Sequence, residues 1–447
     1  MSFDAVKPMP SLQSAMDKAG SAVNLLWSPV ATHWEVPVVR PEYVGWAAEQ
    51  AAWRETVALK DLSHHMNDLF LDGPDAMRLL KDFSANDFVN FEIGRAKQFV
   101  PVSAEGNIIV DGILMRNGQE SFTLTGVPAA QNWIRYQGEI GRYDVEFRID
   151  PDSDRRKGDP ELFRFQVSGP LAIQAIDKAF GGPIPKTKFF HSTPVSLGGR
   201  HFRALRHGMA GQPGYEFIGD FKDAAFVKEA LMAAGEEFGI VHVGGKAYFT
   251  NGIESGWIPT PVPAIFDQDD MRAYREWLPA FGYEGRKPLH GSMYSPDIRD
   301  YYLTPYELGY GRSVAFSHDY HGREALERLK DRPHRQRVTF DLDPADVARA
   351  MGGEPGYYLS YGRYAVEADG KQVGYGCYTA NIAPVGRMLS LGLVAPEHAA
   401  PGTPVVFVWG EHPGPGAPAD AAAFHRIRAT VRPSPYSEVA RTSYRQD

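Results

Sequence analysis

The sequence predicts an α+β protein with a separate, strand-rich C-terminal domain. Three observations carry that expectation. A chain of 447 residues exceeds what one hydrophobic core usually organises and points to two or three domains. A short strand–Gly-Pro–helix unit occurs twice, roughly a hundred residues apart. From Arg337 onward, strand-like alternation replaces the helical spacing of apolar residues.

The first unit is "NDLFLDGPDAMRLLKDF", Asn67 to Phe83, and the second is "FRFQVSGPLAIQAIDKAF", Phe163 to Phe180. In each, alternation predicts a strand and an amphipathic helix follows Gly-Pro. Pro74 and Pro170 suit the first helical position, where a missing N–H costs nothing. Ala76, Leu79, Leu80 and Phe83 share one helical face, as do Ala172, Ile176, Ala179 and Phe180. Gly181 and Gly182 stop the second helix. The pair reads as a duplicated α+β half-domain. The charged stretch Asp150–Pro160 is a loop by composition. A further helix is predicted over Asp220–Gly239, with Asp220 as its cap. Near the C-terminus, "RVTFDL", "RMLSLGLV" and "TPVVFVWG" read as strands, and Asp369-Gly370 marks a hairpin. A small barrel or sandwich is the expected result. The expected division is 1–155, 156–335 and 336–447, with discontinuous segments allowed in the first domain.

Hydrophobic residues make up 43% and charged residues 23%, ordinary values for a globular protein. A net charge of −8 argues against a nucleic-acid partner. No apolar run is long enough to span a bilayer and the N-terminus lacks a signal-peptide core, so a cytoplasmic protein without a membrane partner is expected. The lone cysteine, Cys377, excludes an internal disulfide and reads as inert core. No metal site is expected. His64 and His65 would point oppositely on a strand and lack a third ligand at a recognisable spacing. His318 and His321 belong to a helix-entry loop.

The stretch "RHGMAGQPGYEF", Arg206 to Phe217, spaces glycines as a phosphate loop might. Yet strand-like residues flank it on both sides, and no helix opens at Gly214. It reads as a hairpin with Pro213-Gly214 as the central pair of a type II turn. Glu216 then lies on the returning strand, with Tyr215 and Phe217 facing the other way.

This hairpin resembles the Gly-Tyr-Glu segment of the aminomethyltransferase family, the tetrahydrofolate-binding T-protein of glycine cleavage and its relatives. "AEGNIIVDGILMR" and "HDYHGREALERL" are similar to two further family segments. "HHMNDLFLDG", "AKQFVPVS", "EFGIVHVGGKAYFTNGIESGWIPTPVPAIF" and "IRDYYLTPYELGYG" resemble one branch most, the tetrahydrofolate-dependent aryl O-demethylases of vanillate, 3-O-methylgallate and syringate. The resemblance implies a three-domain cloverleaf folate-binding fold with a C-terminal β-barrel-like domain. It implies that Glu216, Gln98, Trp257 and Thr125 bind tetrahydrofolate. Tyr248 and His65 would flank the methoxyl group, and Asp111 would lie near the reactive end of the folate. Trp34, Val36, Val127, His290 and Ser292 fall where the aromatic substrate would sit. Among these, Val127 stands where vanillate-type enzymes carry Arg, and His290 where they carry Gly. A carboxylate would then need another partner, such as His33, Arg286 or His290, or the substrate would be neutral.

The implied chemistry suits these residue types. An aryl methyl ether is inert because phenolate leaves poorly. Near-attack positioning of methyl and nitrogen removes up to about 7–11 kcal/mol of barrier. A proton donated to the departing oxygen is worth about 100- to 10,000-fold. Tyr248 or His65 would be that donor. Carboxylates and the Gln98 amide complement the amide-like edge of a pterin. Two alternatives share the folate site: another one-carbon removal, of a hydroxymethyl, formaldehyde or aminomethyl unit, or a non-catalytic folate-binding protein.

Overall fold

In the computed structural model, which describes residues 9–29, 36, 38–259, 261–418 and 422–443, each strand–Gly-Pro–helix unit seeds its own sheet. The first unit forms the strand Asn67–Asp72 and the helix Ala76–Asp82; the second forms Leu162–Ser168 and Ala172–Phe180. The glycine between strand and helix has the same role in both. Gly73 (φ 146°) and Gly169 (φ 139°) hold backbone angles that L-residues avoid. A Cβ on Gly73 would lie 2.4 Å from the Asp144 carbonyl oxygen, and one on Gly169 would lie 2.4 Å from that of Thr56. The repeat is therefore one of backbone geometry as well as of sequence. Pro74 and Pro170 depart from expectation in one detail. Each precedes the cap residue, Asp75 or Leu171, instead of opening the helix.

The second unit's sheet has six strands, in spatial order Ile240–Val243, Val57–Asp61, Leu162–Ser168, Gly214–Asp220, Arg200–Arg206 and Ser192–Leu197. Only its first pair is parallel. The helices Ala172–Phe180 and Ala224–Gly235 cover one face, burying Ala172, Ile176, Val227 and Leu231 against Val57, Phe163, Phe165 and Phe217. The predicted helix over Asp220–Gly239 is shorter than expected, because single 3₁₀ turns, Phe221–Asp223 and Glu236–Phe238, flank it. Asp220 gives it no side-chain cap; its carboxylate takes Lys222 at 2.8 Å instead.

The first unit's sheet has five antiparallel strands, ordered Ala96–Phe99, Gly112–Arg116, Ser121–Gly126, Asn67–Asp72 and Glu146–Asp150. Its core includes Leu69, Leu71, Leu79, Leu80, Leu124 and Trp133. In the C-terminal region six strands close into a barrel. Lys371–Ile382 pairs with both Tyr364–Ala368 and Arg387–Val394, and Gln336–Leu342, His425–Arg432 and Pro404–Trp409 complete the ring. Asp369 (φ 50°) and Gly370 (φ 73°) turn its hairpin, as their sequence signal predicts. Cys377 is buried there, and burial pushes its thiol up to about 11. Among the described residues no helix is long and apolar enough to cross a membrane.

The two sheets meet at a buried cation. Arg164, the second residue of "FRFQV" and 3% exposed, reaches out of its own sheet. Its guanidinium donates to both carboxylate oxygens of Asp68 (2.9 and 3.1 Å) and to Thr125 Oγ1 (3.0 Å), all on the neighbouring sheet. It also donates to Glu216 Oε1 at 3.2 Å, on its own sheet. Removing one partner of a buried ion pair strands the other charges, at about 3–5 kcal/mol. Arg164→Met is accordingly expected to lower unfolding free energy in urea by that amount. Arg164→Lys should recover only part, because an ammonium cannot fork. A Met variant within 1 kcal/mol of the parent would show that this joint does not hold the sheets.

Candidate active site

The hairpin carrying Glu216 forms as expected, but its turn does not. The reversal runs through Met209–Gln212, closed by the Gln212 N–H donating to the Met209 carbonyl at 3.1 Å. Its central residues, Ala210 (φ 53°) and Gly211 (φ 71°), take the positive angles. Pro213 and Gly214 instead lead into the strand, where Gly214 lies so close to Leu162–Ser168 that a Cβ would come within 2.0 Å of the Val167 carbonyl oxygen. Tyr215 and Phe217 enter the hydrophobic core, and Glu216 points to the opposite face. One Glu216 oxygen is held by Arg164; the other faces His207 Nδ1 at 3.9 Å, beyond hydrogen-bond reach, and accepts from no described residue. Burial pushes this carboxyl up while Arg164 pulls it down.

A second buried carboxylate, Asp111, lies just ahead of the strand Gly112–Arg116. Its Oδ2 accepts from Gln98 Nε2 (2.5 Å), Trp257 Nε1 (3.2 Å) and the Tyr310 hydroxyl (3.2 Å). Burial raises the carboxyl despite these three donors. Trp257 is pinned by its indole N–H yet 39% exposed, so a flat face is held open at a fixed angle. Gln98 is thereby spent on Asp111, and Thr125 on Asp68 and Arg164. Both are tied to the carboxylates of the site.

His65 and Tyr248 come together. His65 lies in the loop after Val57–Asp61, and Tyr248 ends the short helix Gly245–Tyr248. The His65 Nε2 and the Tyr248 hydroxyl are 2.6 Å apart. Burial drives the imidazole down to about 3 and the Tyr248 phenol up, the latter helped by Glu216 and Tyr361. The pair is therefore neutral at physiological pH. A line of mutually perturbing groups joins it to the other carboxylate: Tyr248 feels Tyr361, Tyr361 feels Tyr283, and Tyr283 feels Asp111. Asp111, Glu216, His65 and Tyr248 therefore belong to one electrostatically connected region.

Of the residues expected around the aromatic substrate, Trp34 and the alternative carboxylate partner His33 lie outside the described residues. Val36 is buried, and Val127 caps the helix Pro128–Ile140 with no polar group to offer. Ser292 is hydrogen-bonded on both sides. Its hydroxyl donates to the Val408 carbonyl at 2.6 Å and accepts from the Ala365 N–H at 2.9 Å, tying its segment to the barrel. His290 is likewise engaged, with Nδ1 3.2 Å from Glu411. The sequence reading passed over Arg164, Tyr310, Tyr361 and Tyr283. A charged residue midway along an apolar strand was the available signal for Arg164; the tyrosines carried none.

Three sheet-centred lobes around a linked set of carboxylates and phenols define a protein of the aminomethyltransferase type. Among solved structures, the glycine cleavage system aminomethyltransferase T from Bartonella henselae superposes with a TM-score of 0.63 over 94% of this chain and 96% of that one, at 18% identity. Residues 22–260 match the GCVT N-terminal domain family, and the chain belongs to that family. It is 38% identical to the syringate O-demethylase of Sphingobium sp. (strain NBRC 103272 / SYK-6), with 97% of each chain aligned. It is 27% identical to the sesamin methylene transferase of Sinomonas sp. (strain No.22), over 90% of this chain and 91% of that one.

The neutrality of His65 has a measurable sign. Its folded value, about 3, lies below its ordinary 6.5, so between those values the unfolded chain binds a proton that the folded chain refuses. His65 therefore withdraws stability as pH falls from 6.5 towards 3. Its imidazole NMR signals, assigned with His65→Gln, are expected to stay put between about pH 8 and pH 5. A midpoint near the ordinary value would mean that water reaches the ring.

Proposed function

We propose that the protein is a tetrahydrofolate-dependent aryl O-demethylase. It moves the methyl group of a methoxyaromatic to N5 of tetrahydrofolate and releases a phenol. The observation that carries this reading is the neutral, hydrogen-bonded His65–Tyr248 pair, in a chain 38% identical to a syringate O-demethylase. The residues fit the folate. Glu216 keeps one oxygen for a ring N–H, Trp257 offers a flat exposed face, and Asp111 is fixed nearby by Gln98 and Tyr310. When bound, tetrahydrofolate supplies the nitrogen that accepts the methyl.

The protein's own part is to make the oxygen leave. As the O–CH₃ bond breaks, the electron pair stays on oxygen and Tyr248 gives that oxygen its proton; the proton that the accepting amine would shed on methylation balances it, returning to Tyr248 and restoring the phenol. A phenol is a matched donor for a phenolate, since both ordinarily titrate near pH 10. His65, in the tautomer with its proton on Nε2, donates to the Tyr248 oxygen and stabilises the tyrosinate that forms. Being neutral, it does so without placing a second cation beside Arg164. The reduced cofactor and the net charge of −8 support a cytoplasmic enzyme with no nucleic-acid partner.

Incubating the protein with tetrahydrofolate and a panel of methoxyaromatics is expected to give 5-methyltetrahydrofolate and the phenol. If no member of the panel yields both, the reading fails; 5,10-methylenetetrahydrofolate as product would mean a different one-carbon unit. Tyr248→Phe should lower kcat by about 100- to 10,000-fold. Folate affinity should be kept, because the phenolic oxygen is not among the folate-holding groups.

A further inference from the structure

Tyr248 ends a helix of a single turn, Gly245–Tyr248. So short a helix does not hold itself in place; its contacts must. Its opening N–H groups are taken by a neighbouring loop. Gly245 donates to the Arg40 carbonyl and Lys246 to the Pro41 carbonyl, both at 3.0 Å. The loop comes so close that a Cβ on Gly244 would lie 2.5 Å from the Pro41 carbonyl oxygen. Loop and helix are thus packed as one piece, and whatever fixes the first fixes the second.

One carboxylate fastens both. Glu49 lies on the helix Trp46–Glu55 and is 0% exposed. Its Oε1 accepts from the backbone N–H of Tyr43, and from that of Val44 at 3.0 Å, both in the loop. Its Oε2 accepts from the backbone N–H of Gly244 at 2.8 Å, just ahead of the Tyr248 helix. Among the described residues, no lysine, arginine or histidine comes within 4.0 Å of it. The residue type follows from this division of labour. A carboxylate has two accepting oxygens, and each serves a different segment; an amide has one, so glutamine could serve only one segment. Gln50, the next residue on the same helix, holds the other end. Its amide donates to Thr250 Oγ1 at 2.9 Å, and that hydroxyl donates to the Ala247 carbonyl at 2.7 Å.

We propose that Glu49 is a positioning residue for the proton transfer: by fixing the start of the Tyr248 helix, it holds the Tyr248 hydroxyl at its 2.6 Å contact with His65. This rests on the demethylase reading, in which Tyr248 is the donor. Glu49 acts at a distance, yet its leverage is large, because a misplacement of about 1 Å at a reacting group costs on the order of 100-fold.

The test is a double-mutant cycle of Glu49→Gln with Tyr248→Phe in the full chain. Glu49→Gln should lower kcat per folded molecule by about 10- to 100-fold and change KM and tetrahydrofolate affinity by less than about 2-fold. In the Tyr248→Phe background the same substitution should cost less than about 2-fold, because the group it positions is gone. A merely structural role would leave the kcat of the folded fraction alone, or lower it by one factor in both backgrounds; either result overturns the proposal. The His65 imidazole nitrogen signals read the contact without turnover. Glu49→Gln should move them towards their positions in Tyr248→Phe, and unmoved signals overturn the proposal. If Glu49→Gln does not fold, Glu49→Asp replaces it. Aspartate keeps the charge and both acceptors but withdraws them by one methylene, so the expected fall in kcat is about 3- to 10-fold, with the His65 signals moving the same way. The two readings fail separately. His65 signals that depend on Glu49 in a protein forming no 5-methyltetrahydrofolate would sink the demethylase reading and keep Glu49 as the residue that sets the His65–Tyr248 contact. Demethylation by folded Glu49→Gln at the parental rate would sink only the positioning.

Discussion

The buried guanidinium of Arg164 is the constraint on which the folate half of the molecule depends. It carries one positive charge between two carboxylates, Asp68 across the sheet boundary and Glu216 on its own sheet. A guanidinium at that depth needs both carboxylates to balance it. The arrangement fixes more than charge. A forked donor that meets both oxygens of Asp68 and a neighbouring hydroxyl sets the angle between the sheets. Glu216 is thereby placed relative to Asp111, which belongs to the other sheet. Arg164 joins the two halves together with the apolar contact of Ala96 and Met115 with Leu205 and Ile218.

Around Tyr248 and Asp111, low solvent access keeps most groups neutral. His65 is driven down, Tyr248, Tyr283 and Tyr361 are driven up, and Asp111 is pushed up. Such a site suits a reaction whose difficulty is a charge that develops late. In water, a leaving phenolate is stabilised by solvent that must reorganise. Here the donor is already aimed and the surroundings contribute no competing ionisation. The depressed imidazole is part of this. An imidazolium at His65 would stabilise tyrosinate in the resting enzyme and weaken Tyr248 as a donor before the reaction begins.

The sequence made some of this legible and hid the rest for physical reasons. Gly73 and Gly169 were readable because only glycine satisfies a positive φ with a carbonyl at 2.4 Å, so the residue type itself records the geometry. Asp369-Gly370 was readable from positive φ alone, which Asp and Gly tolerate in a hairpin turn. The Glu216 hairpin was readable but its turn was misplaced. Pro213-Gly214 has the better turn propensity, while the actual turn puts Ala210, a residue that resists positive φ, at its centre. Tertiary contact decided it: Gly214 is needed bare against Val167, and Ala210 is buried. Asp220 failed as a cap because the chain enters the helix through a 3₁₀ turn. The bonds of Ser292 to Val408 and Ala365 were hidden because both partners are distant in sequence.

The barrel is the part whose role the sequence suggested least, and it governs the chemistry as directly as the sheets do. Tyr378 donates to the Phe249 carbonyl and Tyr357 to the Lys246 carbonyl at 3.2 Å, so the barrel grips the backbone on both sides of Tyr248. The same barrel supplies Tyr361 and Arg363, and Glu411 holds the segment bearing His290. Glu216 and Asp111 hang from the two sheets, while the backbone around Tyr248 is held from the barrel region. That division lets one half vary without the other. Substitutions in the barrel or in the Tyr283–Ser292 segment can change which aromatic fits. They do so without loosening Arg164 or moving Glu216 and Asp111.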